Sequence, residues 1–417
     1  DLAVARRVLG QVLTAQGDWT AASAELTTAI SACLALGIQP ETGRALAQMA
    51  RLAQARIASF QPALVEHPGL VRTPFTWPTA PVHRPQASRL KPWEASASHK
   101  EEEFARAEAL ALFDYLRKSR TTGFVVSLSG GCDSTAVVVL VGMMVRLALA
   151  ELGADGLRRR LAHIAGLPDD AAGITARLLT TVYQGTENSS QVTRDAARTI
   201  AAAVGAKHLE LDVGAFVDGY TAAVGAAIGR TPDWRRDDIA MQNIQARARA
   251  PGVWMIANIE DKLLLATSNR SEAAVGYATM DGDTCGGLSP IAGIDKAFLR
   301  RWLEWMECEG VHGIGPIPAL GAVTRQRSTP ELRPLAAQQV SEGDLMPFPV
   351  LDRIERLAIR DKLPPKDILP RLAAERGWAA SETIDDVCPA IALAQTEASE
   401  KVFWSFLRQL ELQETLT

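Results

Sequence analysis

Ser129-Gly130-Gly131-Cys132-Asp133-Ser134 puts two glycines, two hydroxyls and a carboxylate between the apolar stretches at 125–128 and 136–140. Glycine permits a tight turn and close backbone approach to a ligand. The start of a helix offers N–H groups without intrahelical partners and the positive end of its dipole, and Ser129 and Ser134 add hydroxyl donors. These are the parts of a phosphate cradle. No Gly-Lys-Ser/Thr follows, so it is not a Walker A loop, and the glycine spacing is wrong for a dinucleotide fingerprint. Asp133 is repulsive to phosphates unless Mg²⁺ lies between them, so it reads as a metal ligand. The competing reading is a tight turn in which Asp133 or Ser134 merely caps a helix.

Other stretches carry chemistry of their own. In NIQARAR, Asn243, Arg247 and Arg249 recur at helical spacing, so an amide and two guanidinium forks can face one side and bind anions; a solvated helix face has the same composition. A polar turn after Thr267 leads into a helix with Glu272, a carboxylate that suits either Mg²⁺ or the helix N-terminus. The turn-rich MDGDTCGGLSPIAGIDK holds Asp281 and Asp283 before a glycine pair, where a solvated loop is the alternative. The five cysteines (Cys33, Cys132, Cys285, Cys308, Cys388) are odd in number, scattered and without CxxC spacing. Neither a disulfide framework nor a zinc site is indicated, and a reducing cytoplasm fits best.

Such groups need rigid supports. From residue 99 strand and helix signals alternate: a helical HKEEEFARAEALALFDYLRKSR, a strand GFVVSLS, a long helix DSTAVVVLVGMMVRLALAEL, a strand LLTTVYQGT, a helix SSQVTRDAARTIAAAVG, then strands KHLELDV and KLLLATSN. Continuous apolar strands alternating with helices predict an α/β fold with a doubly wound parallel sheet, whose ligands bind at the carboxyl ends of the strands. Ahead of it, residues 1–60 read as an N-terminal helical hairpin extension. RVLGQVL is echoed by RALAQMA, and Leu9, Gly10, Leu13, Ala22, Leu26 and Ala29 follow a tetratricopeptide-like pattern, with an ordinary hairpin as the alternative. Residues 61–99 form a proline-rich linker, 100–380 the main domain, and 381–417 a C-terminal helical tail.

At 417 residues, 47% hydrophobic and 22% charged, the chain reads as a soluble protein of more than one unit. No uncharged run of eighteen apolar residues suggests a membrane span. A net charge of −4 argues against a nucleic-acid partner. Beginning at Asp1 with no signal-peptide pattern, the sequence reads as a processed form or a piece of something longer.

The Ser-Gly-Gly-X-Asp-Ser order resembles the PP-loop of the N-type ATP pyrophosphatases, enzymes that cleave ATP to AMP and pyrophosphate. MQNIQARARAPGVWMIAN (241–258) and LLLATSNRSEAAVGYATMDGDTCGGLSPIAGIDK (263–296) are similar to the two most diagnostic blocks of NAD synthetases. STPELRPL (328–335) and SEGDLMPFPVLDRIE (341–355) resemble that family's later phosphate-side loop and closing helix. The resemblance spans roughly 100–370. It implies an adenine nucleotide alpha hydrolase-like fold and the ATP-dependent amidation of deamido-NAD to NAD⁺ through an acyl adenylate, with release of AMP and pyrophosphate.

The resemblance also implies roles. Ser129, Gly130, Gly131, Asp133, Ser134, Arg249, Thr267, Lys296 and Thr329 bind ATP. Asp133, Glu272 and Thr329 hold Mg²⁺, and Asn243, Arg247 and Asp283 contact deamido-NAD. Asp133, Asp283 and Lys296 act in the chemistry, Asp283 holding the proton that ammonium must lose. The chain departs from many relatives at Met280, where they carry lysine, and at Gly287, where they carry aspartate. Long NAD synthetases add a nitrilase-like glutaminase with a Glu-Lys-Cys triad. Residues 1–100, where Cys33 is the only cysteine, cannot hold one, so nitrogen comes from ammonia or from glutamine through a glutaminase not visible here. The family further implies at least a homodimer. A GMP-synthetase-like ligase would keep the loop and lose the NIQAR and GYATMDGD blocks; an adaptor with a decayed ATP fold would have lost Asp133, Glu272 or Lys296.

Overall fold

A computed structural model describes residues 2–15, 18–35, 44–49, 90–327, 329–334 and 339–363, with residues 367, 368, 371, 372 and 375 beyond them. The proline-rich stretch before residue 90 and the 381–417 tail lie outside the described residues. The chain divides into two compact units, Asp1–Ala87 and Ser88–Thr417.

In the first unit, α1 (Leu2–Ala15) and α2 (Trp19–Ala35) pack together, burying Ala22, Leu26, Ala29 and Cys33. The small-and-large pairing is real at one point: a Cβ on Gly10 would lie 2.7 Å from Leu26 Cγ. Leu9 is 45% exposed. Residues 44–49 are helical, and Met49 packs against the Ala22–Leu26 cluster.

In chain order the second unit runs α3 (His99–Ser119), β1 (Phe124–Ser127), α4 (Cys132–Arg160), α5 (Ala171–Leu178), β2 (Leu179–Gly185), α6 (Gln191–Val204), β3 (Lys207–Asp212), α7 (Gly214–Ile228), α8 (Asp238–Ala248), α9 (Ala250–Ile259), β4 (Leu263–Leu265), α10 (Arg270–Val275), α11 (Lys296–Cys308) and α12 (Phe348–Glu355). The four strands form one parallel sheet in the order β3-β2-β1-β4. Alternate side chains leave opposite faces of a strand. Accordingly Phe124, Val126, Leu179, Tyr183 and Leu265 join the core built with α3, α4, α6 and α11. Val125, Val182 and Leu264 pack instead with Val253 and Ala257 of α9. Both faces are covered, which makes the sheet doubly wound. Strands β1 and β4 are apolar but for Ser127, β2 is buried throughout although it carries Thr180, Thr181 and Gln184, and the edge strand β3 (KHLELD) is polar and only partly buried.

Helix α4 is long and apolar enough by composition to cross a membrane, although Asp133, Arg146 and Glu151 leave no uncharged apolar run of eighteen residues in it. Its apolar first half is instead buried in the protein core, from Ser134 to Val145. It breaks direction at Gly153, whose φ is 66°. The chain steps from β1 to β2 to β3 on one side and returns to place β4 on the other. The switch point therefore lies between β1 and β4, where the loops after both strands open a crevice at their carboxyl ends.

Candidate functional site

The loop after β1 is braced by its own hydroxyls. Ser134 Oγ accepts the Ser129 N–H at 3.2 Å and meets Ser129 Oγ at 3.0 Å, while the Gly131 N–H donates to Ser129 Oγ at 3.3 Å. Gly130 has φ 80°, and a Cβ there would lie 2.2 Å from the Thr193 carbonyl oxygen on α6, so only glycine fits. The loop and the start of α4 open on a cavity of about 570 Å³ whose wall includes Ser129, Gly130, Gly131, Asp133 and Ser134.

Three distant segments meet at Asp133. Lys296 Nζ, at the start of α11, donates to Asp133 Oδ2 and, at 2.9 Å, to Glu272 Oε1 of α10. Asn269 caps α10 by accepting the Glu272 N–H at 3.0 Å and donates its amide to Asp133 Oδ1 at 3.0 Å. Burial pushes the Glu272 carboxyl up to about 7, and the Asp133 charge adds to the effect. Burial works against the Lys296 ammonium, but Asp133 and Glu272 outweigh it and hold the amine protonated. Two carboxylates crowding one ammonium leave the cluster with an excess of negative charge, and its donors are all oxygens. Among the described residues no group of three or more His, Cys, Asp or Glu side chains is placed to hold a metal. The pair thus fits a hard cation that takes its remaining ligands from phosphate and water, the habit of Mg²⁺.

Thr267, two residues beyond the end of β4, also lines the cavity, as do Asn243, Arg249, Asp283 and Thr329. Asn243 Oδ1 accepts the Thr279 hydroxyl at 2.8 Å, and the Thr279 N–H donates to Asp283 Oδ2 at 2.9 Å, tying the 279–283 turn to α8. Arg249 sits at the junction of α8 and α9. Burial presses its guanidinium toward neutrality, with Asp283 the leading charge that opposes this, and its Nε is buried without a hydrogen-bond partner. Thr329 Oγ1 accepts the Glu331 N–H at 3.3 Å, and Glu331 accepts the Ser190 N–H and the Thr193 hydroxyl at the start of α6. It belongs to this wall rather than to the Asp133–Glu272–Lys296 cluster.

Arg247 is not brought into the cavity wall. It is exposed and donates its Nε to the Met280 carbonyl at 3.0 Å. Met280 itself is 68% exposed. At Gly287 a Cβ would lie 2.8 Å from Leu263 Cδ1, so an aspartate there would displace that side chain. Cys132 is an inert thiol: burial pushes it up to about 12, Asp133 adding to the shift.

Sequence reasoning missed several residues. Asn269 was legible as a cap three residues before Glu272. Arg300 lines the cavity one turn after Lys296, and Arg327 lines it beyond the turn at Gly321–Thr324. Gln245, inside NIQAR, is buried and donates to the Leu332 carbonyl at 2.5 Å while accepting from Asn188 at 2.9 Å, pinning the 329–334 segment. Arg333 completes that anchorage through Asp238 at 2.8 Å and Asp344 at 3.2 Å.

A family model described as NAD synthase matches residues 105–387. The chain is 32% identical over 277 residues to the glutamine-dependent NAD(+) synthetase of Oryza sativa subsp. indica, covering 61% of this chain and 37% of that protein. It is 31% identical over 332 residues to the Drosophila melanogaster enzyme of the same description, covering 74% and 40%. Among solved structures, the glutamine-dependent NAD(+) synthetase from Cytophaga hutchinsonii superposes with a TM-score of 0.57 at 42% identity, covering 66% of this chain and 45% of that one. The match thus spans less than half the length of these relatives.

Proposed function

This chain belongs to the NAD synthase family, and we propose that it catalyses the ATP-dependent amidation of deamido-NAD to NAD⁺, releasing AMP and pyrophosphate. The observation that carries the reading is the meeting of Asp133, Glu272 and Lys296 beside a glycine loop at the switch point of a parallel sheet.

A carboxylate oxygen is a poor leaving group, so it must first become part of a mixed anhydride with phosphate. The nicotinate carboxylate of deamido-NAD attacks the α-phosphorus of ATP, and the bond to the bridging oxygen breaks as pyrophosphate leaves. Ammonia then attacks the acyl carbon, AMP departs, and the nitrogen gives up a proton. The first-turn amides of α4 with Ser129 and Ser134 hold phosphate oxygens, and Thr267 and Thr329 line the same cavity. Lys296 and the unpartnered Arg249 stabilise the charge on the departing pyrophosphate. Asp133 and Glu272 would hold Mg²⁺, which when bound supplies further neutralisation of the triphosphate. Asn243 and the 279–283 turn face the dinucleotide. Asp283, held on one oxygen by the Thr279 N–H, takes the proton lost by the incoming nitrogen. Arg247 acts from outside the wall by holding the Met280 carbonyl within this turn.

We assign the expected homodimer to an apolar row along α7. Phe216, Tyr220, Val224 and Ile228 recur every four residues and are each more than half exposed. The described cysteines Cys33, Cys132, Cys285 and Cys308 are free thiols, which supports a reducing, cytoplasmic setting.

The test is NAD⁺ formation from deamido-NAD, ATP and Mg²⁺, with ammonium and glutamine compared as nitrogen donors. Product with ammonium is expected, and product with glutamine would identify the other donor. No product with either refutes the reading. Asp133→Asn should stop pyrophosphate release while circular dichroism stays that of the wild type; wild-type turnover would reduce Asp133 to a helix cap.

A further inference from the structure

Asp352, on α12, lies outside the cavity wall and is 2% exposed. Its Oδ1 accepts the hydroxyl of Ser271, the residue immediately before Glu272. Its Oδ2 accepts the N–H of Ala297 at 3.0 Å, the residue immediately after Lys296. Ser271 Oγ in turn accepts the Lys296 N–H at 2.9 Å. One carboxylate and one hydroxyl thus close a buried ring around the neighbours of both members of the Glu272–Lys296 pair. Outside this ring, Arg270 bridges Asp295 at 3.3 Å and Glu355 at 2.6 Å, and Arg356 meets Asp295 at 2.6 Å, so α10, α11 and α12 are clamped together.

We propose that Asp352 is a positioning residue that sets the separation of Glu272 from Lys296, so that α12 governs whether these two groups meet the nucleotide in productive register; the inference rests on the amidation reading above. The chemistry requires a carboxylate. Both oxygens accept from donors, Ser271 O–H on one side and Ala297 N–H on the other. An amide of the same shape would turn an NH₂ group toward one of those donors. Ser271 is fully buried, so no water replaces the lost bond.

The test compares Asp352→Asn, Ser271→Ala and the double variant in the NAD⁺-forming assay, with thermal melting measured alongside. Glu260→Gln, at the amino edge of the sheet, serves as a control that lowers stability without touching the site. The inference expects kcat of Asp352→Asn to fall on the order of 10- to 100-fold, the usual cost of losing an outer-shell orienting group. The KM values for ATP and deamido-NAD should stay within about threefold, because ground-state binding is not what Asp352 sets. The double variant should lose no more than the worse single one, since both act through the same link. Wild-type kcat in Asp352→Asn, or a kcat loss equalled by Glu260→Gln at the same melting loss, overturns it. If Asp352→Asn does not fold, Ser271→Ala decides by the same criteria. Should the wild type form no NAD⁺ from either nitrogen donor, the amidation reading falls on its own. A crystal structure of Asp352→Asn then decides the positioning claim: a Lys296 Nζ to Glu272 Oε1 distance unchanged from 2.9 Å refutes it.

Discussion

Replacing Glu272 by glutamine should make the empty protein more stable while disabling it. Glu272 and Asp133 share the single ammonium of Lys296, so removing one carboxylate turns a cluster with excess negative charge into a matched pair. The ordinary value for a glutamate is 4.5, and burial with the Asp133 charge raises Glu272 to about 7. At about 1.4 kcal/mol per pH unit, keeping it ionised in the folded state costs on the order of 1–3 kcal/mol, allowing for rearrangement around Lys296. The sign follows from the raised value. The folded protein binds this proton more tightly than the unfolded chain, so the stability it contributes is complete below pH 4.5 and is lost as pH rises through 7. Glutamine has no proton to lose. Melting in EDTA without nucleotide should therefore show variant and wild type close at pH 5 and the variant ahead by several degrees at pH 8, at about 2–4 °C per kcal/mol for a domain of this size. Turnover should fall about 100-fold or more, as when a group stabilising the transition state is removed. A variant no more stable than wild type at pH 8, or a gain equal at pH 5 and pH 8, would refute this account of the cluster.

Gly130→Ala should lower the melting temperature by several degrees and abolish pyrophosphate release. A positive φ costs a non-glycine residue about 1–3 kcal/mol, and the new Cβ would meet the Thr193 carbonyl at 2.2 Å; wild-type turnover would show that the loop need not hold its shape. Arg249→Ala should cost about 100-fold in kcat through loss of a buried cation facing the cavity, whereas Arg247→Ala, which frees only the Met280 carbonyl, should cost less; the reverse order in steady-state kinetics would exchange their roles. At the amino edge of the sheet, burial pushes Glu260 up, but Lys207, Lys262 and Thr180 outweigh it and bring it to about 2. Its stabilisation is therefore present above pH 4.5 and is lost as pH falls toward 2. An acid titration of melting temperature should be flatter for Glu260→Gln, by on the order of 1–3 kcal/mol over that window.

The strands were legible as short runs between turn residues, apolar in β1 and β4 and alternating in the edge strand β3 (KHLELD), and β2 and α6 lie within a residue or two of their expected limits. The glycine loop after β1 was legible for a related reason, since polar and flexible residues between two buried segments must be there for a ligand or a turn. The NIQARAR line was half legible. Asn243 and Arg247 do share a helix face, but Pro251 has no N–H to continue the α8 ladder, and α9 begins at Ala250. That break carries Arg249 into the cavity wall while Arg247 stays outside. Contacts between distant segments had no local signature. Ser271 meets Asp352 across 81 positions and Gln245 meets Leu332 across 87, and neither spacing obeys a helical or strand period. Helix α7 carried no sequence expectation: Phe216, Tyr220, Val224 and Ile228 have the composition of a buried face yet lie on the surface.

The empty site holds two opposite imbalances. Around Lys296 there is an excess of carboxylate, and at Arg249 there is a buried guanidinium whose Nε has no partner. Either would be costly in a core whose only task was stability, because a buried charge without compensation is paid for in desolvation. The arrangement persists because the cost is met elsewhere, in the apolar packing of α4 and in the clamp among α10, α11 and α12. A neutral ligand would relieve neither imbalance. A polyphosphate accompanied by a cation relieves both, since its oxygens satisfy Arg249 and Lys296 while the cation answers Asp133 and Glu272. On the amidation proposed above, selection for a nucleoside triphosphate over a nucleoside would follow from charge left unsatisfied by the fold itself, before any contact with the base is considered.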